Sequence, residues 1–383
     1  MYGILNYGSM VDDRVRVQAY AQALRQSIRP DTVVLDLGTG TGIFALLACR
    51  FGARRVFAIE ADPVIQTARE IAAANGLGDR IEFIQQLSTQ ATLPELAGVI
   101  ISDLRGILPL YGRHLPTVVD ARKRFLAPGG VLIPRLDTLW AAVAEAPETY
   151  FRRMRPWDEN SFELDLGAAR RLAVNNWWKP REGEVRLLTE PFCWGTLDYA
   201  IIESPHIAAA IATTATGAGT AHGLVLWFDT VLADGVGFSN RPGASAPTIY
   251  SSGFFPLEQP VPLEAGDQVH LSLRADLVGE DYVWSWNTTI TDGGSAGRVK
   301  AKFAQSTFNG EFRSPDTLRR GAANFVPRLD EDGEIERFVL SRMDGKTSLE
   351  EISSALAEKY PGRFPSWQDA LSRVAELSRR YSR

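Results

Sequence analysis

The sequence predicts an α/β protein: a doubly wound parallel-sheet domain over residues 1–135, an antiparallel β-barrel domain over 136–310 and a small helical module over 325–383. Three observations lead there. Between Asp31 and Pro134, β-branched apolar runs alternate with segments of helical period, the pattern of strand–helix units that stack as a parallel sheet with helices on both faces. Beyond Pro134 the runs become short, β-branched or aromatic, and are separated by Gly, Pro and Asp, as in antiparallel sandwiches and barrels. From about Pro327 the apolar residues return to helical spacing behind capping boxes.

Composition is consistent with this. With 383 residues, 45% hydrophobic and 23% charged, the chain can bury ordinary cores in two or three domains. A net charge of −5 gives no electrostatic footing on nucleic acid or an anionic membrane. Cys49 and Cys193 are the only cysteines, too few for a disulfide framework or a structural zinc site, and no metal-ligand spacing links the histidines. No stretch approaches the roughly 20 apolar residues of a membrane span, and residues 1–13 lack a signal-peptide pattern, so a cytoplasmic location is expected.

The elements follow in order. Thr32–Leu37 is the first strand, and a helix through Cys49 leads to a second at Arg55–Ile59. A helix over Pro63–Asn75 precedes strands at Ile81–Ile84, Gly98–Ser102 and Leu132–Ile133. Right-handed crossovers then place every strand C-terminus on one edge. Antiparallel strands are predicted at His222–Val231, Thr248–Phe255, Gln268–Leu273 and Tyr282–Thr288. The segment Tyr150–Trp178, rich in Arg, Trp, Phe and Tyr, reads as a protruding arm that meets another chain. In the tail, Ser348-Leu349-Glu350-Glu351 and Ser366–Asp369 are capping boxes ahead of apolar positions at helical spacing.

The first strand runs into Asp36-Leu37-Gly38-Thr39-Gly40-Thr41-Gly42. Glycines there let the backbone turn sharply into a helix and let a ligand lie against the main chain. Glu60 ends the second strand, where a carboxylate accepts hydrogen bonds from both ribose hydroxyls of an adenosine ligand. A dinucleotide fingerprint would put its third glycine at Ile43 rather than Gly42. The tighter spacing, with Asp36 two residues before Gly38, suits a ligand without pyrophosphate whose amino-acid end must be held. S-adenosylmethionine is such a ligand, lying across Gly38, Gly40 and Gly42.

On these residues the chain resembles the protein arginine methyltransferases. Met10, Asp13, Arg16 and Tyr20 follow that family's Met-x-x-Asp-x-x-Arg-x-x-x-Tyr helix, and His222–Asp229, Phe255–Pro260 and Gly266-Asp267 resemble its barrel segments. The resemblance covers about residues 5–295. It implies a Rossmann-like methyltransferase domain, Arg16 on the cofactor carboxylate, Ser88 and Thr89 against adenine, and a homodimer.

The family presents two carboxylates to the acceptor guanidinium from a hairpin after the fourth strand, here Ser102 to Leu115. Asp103 stands at the first of those positions, one methylene short, and Gly112 at the second. Arg105, Arg113 and His114 add positive charge to the same hairpin, and the family's Thr-His-Trp loop becomes Thr248-Ile249-Tyr250. A cationic acceptor is disfavoured by that charge. The expectation is a methyltransferase acting on a peptide, a protein or a small molecule other than arginine, with Asp103, Arg105 and His114 as candidate catalytic residues. Two alternatives stand beside it, a scaffold that binds cofactor without turnover and an arginine methyltransferase with a divergent acceptor loop. Phe338–Ile352 resembles the winged-helix domains that recognise leader peptides of ribosomally made natural products. That resemblance implies a peptide delivered by the tail, with Asn324–Leu329 as its strand candidate; a helical appendage is the alternative.

Overall fold

The computed structural model describes residues 3–382 except 161, 182, 245–247 and 295–296. Two helices, α1 (Ile4–Asp12) and α2 (Arg14–Ser27), precede a run of alternating elements. These are β1 (Val33–Leu37), α3 (Ile43–Arg50), β2 (Arg55–Ile59), α4 (Ile65–Ala74), β3 (Ile81–Ile84), β4 (Ala97–Ser102), α5 (His114–Phe125) and β5 (Leu126–Ile133). All five strands pair in parallel, in the order β3-β2-β1-β4-β5. β1 is buried along its whole length, as expected of a strand covered on both faces. The chain runs outward from β1 to β3, then returns to place β4 on the other side of β1. That reversal makes a crevice beyond the C-terminal ends of β1 and β4, where Leu37 pairs with Ser102.

The antiparallel region holds β6 (Leu136–Glu145), α6 (Pro147–Asp158), α7 (Gly167–Ala173), β7 (Arg186–Leu187), β8 (Phe192–Asp198) and β9 (Ile207–Thr214). It continues through β10 (Gly219–Ala233), β11 (Val236–Ser239), β12 (Gly253–Leu263), β13 (Gln268–Val278), β14 (Asp281–Thr291) and β15 (Val299–Ser306). Among the described residues the strands form two sheets, β11-β10-β6-β7 with β12 and β8 attached, and β15-β14-β13-β9. An isolated bridge, Thr189 to Ala215, lies outside these strands. Where one barrel was expected, pairing thus records two sheets around one core. Alternation sets the inner face: Val269, Leu271, Leu273 and Ala275 of β13 are buried while His270, Ser272 and Arg274 are exposed. Each large apolar side chain so buried contributes about 1.5–3 kcal/mol.

That core is continuous with one face of the parallel sheet, joining Leu35, Leu37 and Phe57 to Leu226, Phe228 and Trp286. Residues up to Glu311 accordingly form one compact unit, so the boundary expected near residue 135 separates layers rather than separate cores. The second unit, from Phe312, contains α8 (Pro315–Arg320), α9 (Glu331–Leu340), α10 (Leu349–Lys359) and α11 (Trp367–Tyr381). Both anticipated capping boxes are present, and Ile335, Val339, Ile352, Leu356, Val374 and Leu377 fill the core. No strand occurs in this unit among the described residues, and Asn324–Leu329 is irregular. The strand half of a winged helix is therefore missing, since Pro327 interrupts the candidate and no partner strand lies in this unit to pair with it.

Strand starts also shift: β5 begins at Leu126 where Leu132 is expected, and β10 at Gly219 where His222 is expected. β12 begins at Gly253 rather than Thr248, because Thr248–Ser252 forms a bend with Ser251 at φ +55°. Side chains from distant segments hold that bend: Asp13 accepts from the Ile249 N–H at 2.8 Å, and Asn240 donates to the Ser251 carbonyl.

Candidate active site

A cleft of about 310 Å³ opens at the crevice beyond β1 and β4, within the range of small-ligand sites. Its floor is the turn after β1. Gly38 and Thr39 donate to the Ile59 carbonyl at 2.9 and 3.0 Å, while Gly38, Gly40 and Gly42 have φ of +75°, +53° and +85°. Left-handed backbone of this kind favours glycine. At Gly40 there is a second reason: an added Cβ would come 2.7 Å from Cε1 of Tyr7, which α1 lays over the turn.

Asp36 does not line this cleft. Its Oδ2 accepts from the Thr39 hydroxyl at 2.6 Å and the Ala45 N–H at 3.0 Å, so it ties the glycine turn to the start of α3. Burial pushes its carboxyl up to about 7, against those two hydrogen bonds and with repulsion from Glu60 and Asp103 adding to it. Glu60 does line the cleft; its oxygens accept from the N–H groups of Gly40 (3.1 Å) and Asp62 (2.9 Å), leaving each a further lone pair. Ser88 and Thr89 are not part of the lining. The Ser88 carbonyl instead accepts from Arg124 at 3.1 Å.

The opposite wall is a network of charges. Asp13 caps α2 by accepting from the Arg16 N–H at 3.0 Å, which aims Arg16 inward. Arg16 is buried, donates through Nε to Asp103 at 2.5 Å and through Nη1 to the Met10 carbonyl at 2.7 Å, and lies 5.2 Å from the Phe44 ring centre. Among the described residues its Nη2 makes no hydrogen bond. Asp103 also accepts from the Tyr250 hydroxyl at 2.5 Å and lies 3.4 Å from Arg105 Nε. Burial would raise this carboxyl, but the charges of Arg16 and Arg105 outweigh it and hold it below its usual value.

Arg105 is wholly enclosed. Nη1 donates to Asp137 at 2.8 Å and Thr230 at 2.9 Å, and Nη2 donates to the Tyr20 hydroxyl at 2.6 Å. Its positive charge is thus spent on buried partners rather than offered to an acceptor. His114 needs a correction. It starts α5 with its ring buried outside the cleft, and Nε2 lies 3.0 Å from the Tyr199 hydroxyl. Burial first, and the Arg105 charge second, lower it to about 3, so it is neutral and no base for a cleft ligand. Arg113 turns out of the cleft toward Glu280, 3.6 Å away, and the Gly112 N–H donates to Asp281 at 3.3 Å. No cluster of potential metal ligands occurs among the described residues.

The roles of Tyr7, Tyr250 and Asp137 were not anticipated. In the sequence Tyr250 stands out only as a departure from a loop motif, and a lone Asp137 in a strand carries no local signal at all.

The chain is similar to known proteins. Residues 18–157 match the family described as ribosomal protein L11 methyltransferase (PrmA). A probable protein arginine N-methyltransferase 6 of Arabidopsis thaliana is 31% identical over 229 residues, 57% of this chain and 52% of that protein. Protein arginine N-methyltransferase 2 of Homo sapiens is 28% identical over 291 residues, 70% of this chain and 66% of that protein. The chain therefore spans half to two thirds of these relatives. A solved Trypanosoma brucei PRMT1 enzyme–prozyme heterotetramer with AdoHcy superposes with a TM-score of 0.72 at 24% identity, covering 80% of this chain and 98% of the other. The fold is that of the protein arginine methyltransferases. Protein arginine methyltransferase 10 of Arabidopsis thaliana also matches, with a TM-score of 0.71 at 22% identity over 79% of this chain and 97% of the other. These comparisons leave a fifth or more of this chain uncovered.

Proposed function

We propose that this chain is an S-adenosylmethionine-dependent methyltransferase whose acceptor is not a guanidinium cation. The observation that carries the reading is the cleft itself: bare backbone at Gly38 and Gly40, Glu60 on one side and the Arg16–Asp103 pair on the other. These residues fit the ligand. Glu60 retains lone pairs for two ribose hydroxyls, and Arg16 retains Nη2 for a carboxylate. When bound, the sulfonium supplies an activated methyl group for in-line displacement. The chain's own contribution is positioning and exclusion of water, with α1 covering the glycine turn.

Asp103 supports a holding role rather than a basic one. It is engaged by Arg16, Arg105 and Tyr250, so it orients Arg16 and has no strong affinity left for a proton or a cationic acceptor. With His114 sequestered, a nucleophile already charged near neutrality, such as a carboxylate of a peptide, protein or small molecule, needs the least help. The same sequestration favours a second reading, a scaffold that binds cofactor without turnover.

The two differ by experiment. Calorimetry should show S-adenosylhomocysteine binding, weakened about 10–100-fold by Glu60→Ala through loss of charge-assisted hydrogen bonds. Unchanged affinity in that variant would remove the site assignment. Mass spectrometry of peptides and metabolites methylated by the protein then separates enzyme from scaffold. A homodimer through α6 and α7 belongs to this reading: Tyr150, Met154 and Val174 pack inward while Phe162 and Leu164 stand 78% and 60% exposed. Sedimentation as a clean monomer at micromolar concentration would defeat it.

A further inference from the structure

We propose that Arg105 is a resident guanidinium: it fills a cation site behind the acceptor side of the cleft and sets the acceptor class by keeping other cations out. The inference deepens the methyltransferase reading and rests on it for the word acceptor; the cation site itself stands independently. Consider what surrounds the guanidinium. Two carboxylates, Asp103 and Asp137, flank it. Three hydroxyls lie in its neighbourhood: those of Thr230 and Tyr20 accept from it, while that of Tyr250 donates to Asp103 beside it. Its central carbon is 5.1 Å from the ring centre of Phe228, 5.6 Å from Phe238 and Tyr250, and 5.8 Å from Tyr20. A cage of aromatic faces and carboxylates is the chemistry that recognises a desolvated cation.

This cage borders the cleft at Asp103, Arg105 and Tyr250, which line it, with the enclosed Arg105 side chain filling the space behind. At that border the charges of Arg16 and Arg105 balance those of Asp103 and of Asp137 buried behind it. An incoming guanidinium would find each carboxylate already paired, and would add an uncompensated positive charge to a buried site. A neutral or anionic group meets no such cost. The side chain at 105 therefore decides the sign of charge the wall accepts, without touching the reacting atoms.

Arg105→Ala should uncover the cage and leave Asp137 without its ion pair. Low-millimolar guanidinium chloride should then raise the melting temperature of the full-length variant saturably, with no such rise in wild type and none from sodium chloride of equal ionic strength. Calorimetry with methylguanidinium should show binding to the variant at least about tenfold tighter than to wild type. The rescue should disappear in Arg105→Ala/Asp137→Asn. Should Arg105→Ala be insoluble, its recovery during expression and lysis with and without guanidinium becomes the readout, recovery only with the ion being the expected result. Failure of guanidinium to restore either melting temperature or solubility overturns the proposal, as does equal binding by wild type. Neither readout involves methyl transfer, so loss of the enzymatic reading would leave this test standing.

Discussion

Replacing Asp36 with asparagine separates the cost of a buried charge from the hydrogen bonds it makes. Both bonds, from the Thr39 hydroxyl and the Ala45 N–H, fall on one oxygen, Oδ2, and an asparagine carbonyl can take that position. The carboxyl is raised from its ordinary 3.8 to about 7 by burial above all. Between those values the folded state holds a proton that the unfolded state has released, so stability falls as pH rises from about 4 to about 7. A difference of about three pH units, at about 1.4 kcal/mol each, corresponds to roughly 4 kcal/mol at pH 8. Asparagine removes that cost but brings an amide N–H₂ to the place of Oδ1, which has no hydrogen-bond partner among the described residues, giving back about 1 kcal/mol. The net expectation is that Asp36→Asn exceeds wild type by about 3 kcal/mol at pH 8 and loses the advantage near pH 4.5. Urea titration followed by tryptophan fluorescence measures this. Eight of the nine tryptophans precede Phe312, so the signal reports the larger unit. With a slope near 3 kcal/mol/M, the midpoint at pH 8 should move by about 1 M. An equal difference between the two proteins at both pH values would refute the reasoning.

Other outcomes follow from the same geometry. Gly40→Ala places a Cβ at φ +53° and 2.7 Å from the Tyr7 ring, and left-handed backbone alone costs about 1–2 kcal/mol. Affinity for S-adenosylhomocysteine should fall about tenfold, and an unchanged calorimetric constant would count against the turn as the ligand floor. His114 is lowered to about 3, so its contribution to stability grows from about pH 3 to about pH 6.5 and is flat above. By NMR its ring should not titrate between about pH 5 and 8, and a midpoint near 6.5 would show that it is not buried as described. Leu356→Ala empties a fully buried position in the helical unit, at a cost of about 2–5 kcal/mol. Calorimetric scans should show a separate low-temperature transition with the main one unmoved; a single transition shifted as a whole would mean the units fold together.

Local sequence determined most of the parallel sheet, the exception being β5, which begins at Leu126 and runs through the Pro-Gly-Gly segment expected to be a turn. Arg55–Ile59 and Ile81–Ile84 are strands at the bounds read from their apolar runs, and the glycine turn with Glu60 sits where the spacing put it. Strand burial, left-handed turns and helix caps are properties of a few neighbouring residues, so they are legible without the fold. The two capping boxes of the C-terminal unit are the same kind of signal. The acceptor side was not legible. Asp103 and Arg105 could be nominated from the hairpin, yet their chemistry depends on Arg16 and Tyr20 of α2, Asp137, Thr230 and Tyr250, contributed by four separate segments. His114 illustrates the point: two residues from Gly112 in sequence, it is buried against Tyr199 and uncharged. Whether a charge is free, paired or extinguished is set by burial and by partners far along the chain. Those only the tertiary structure brings together, because electrostatic interactions act over ångströms of space and take no account of sequence distance.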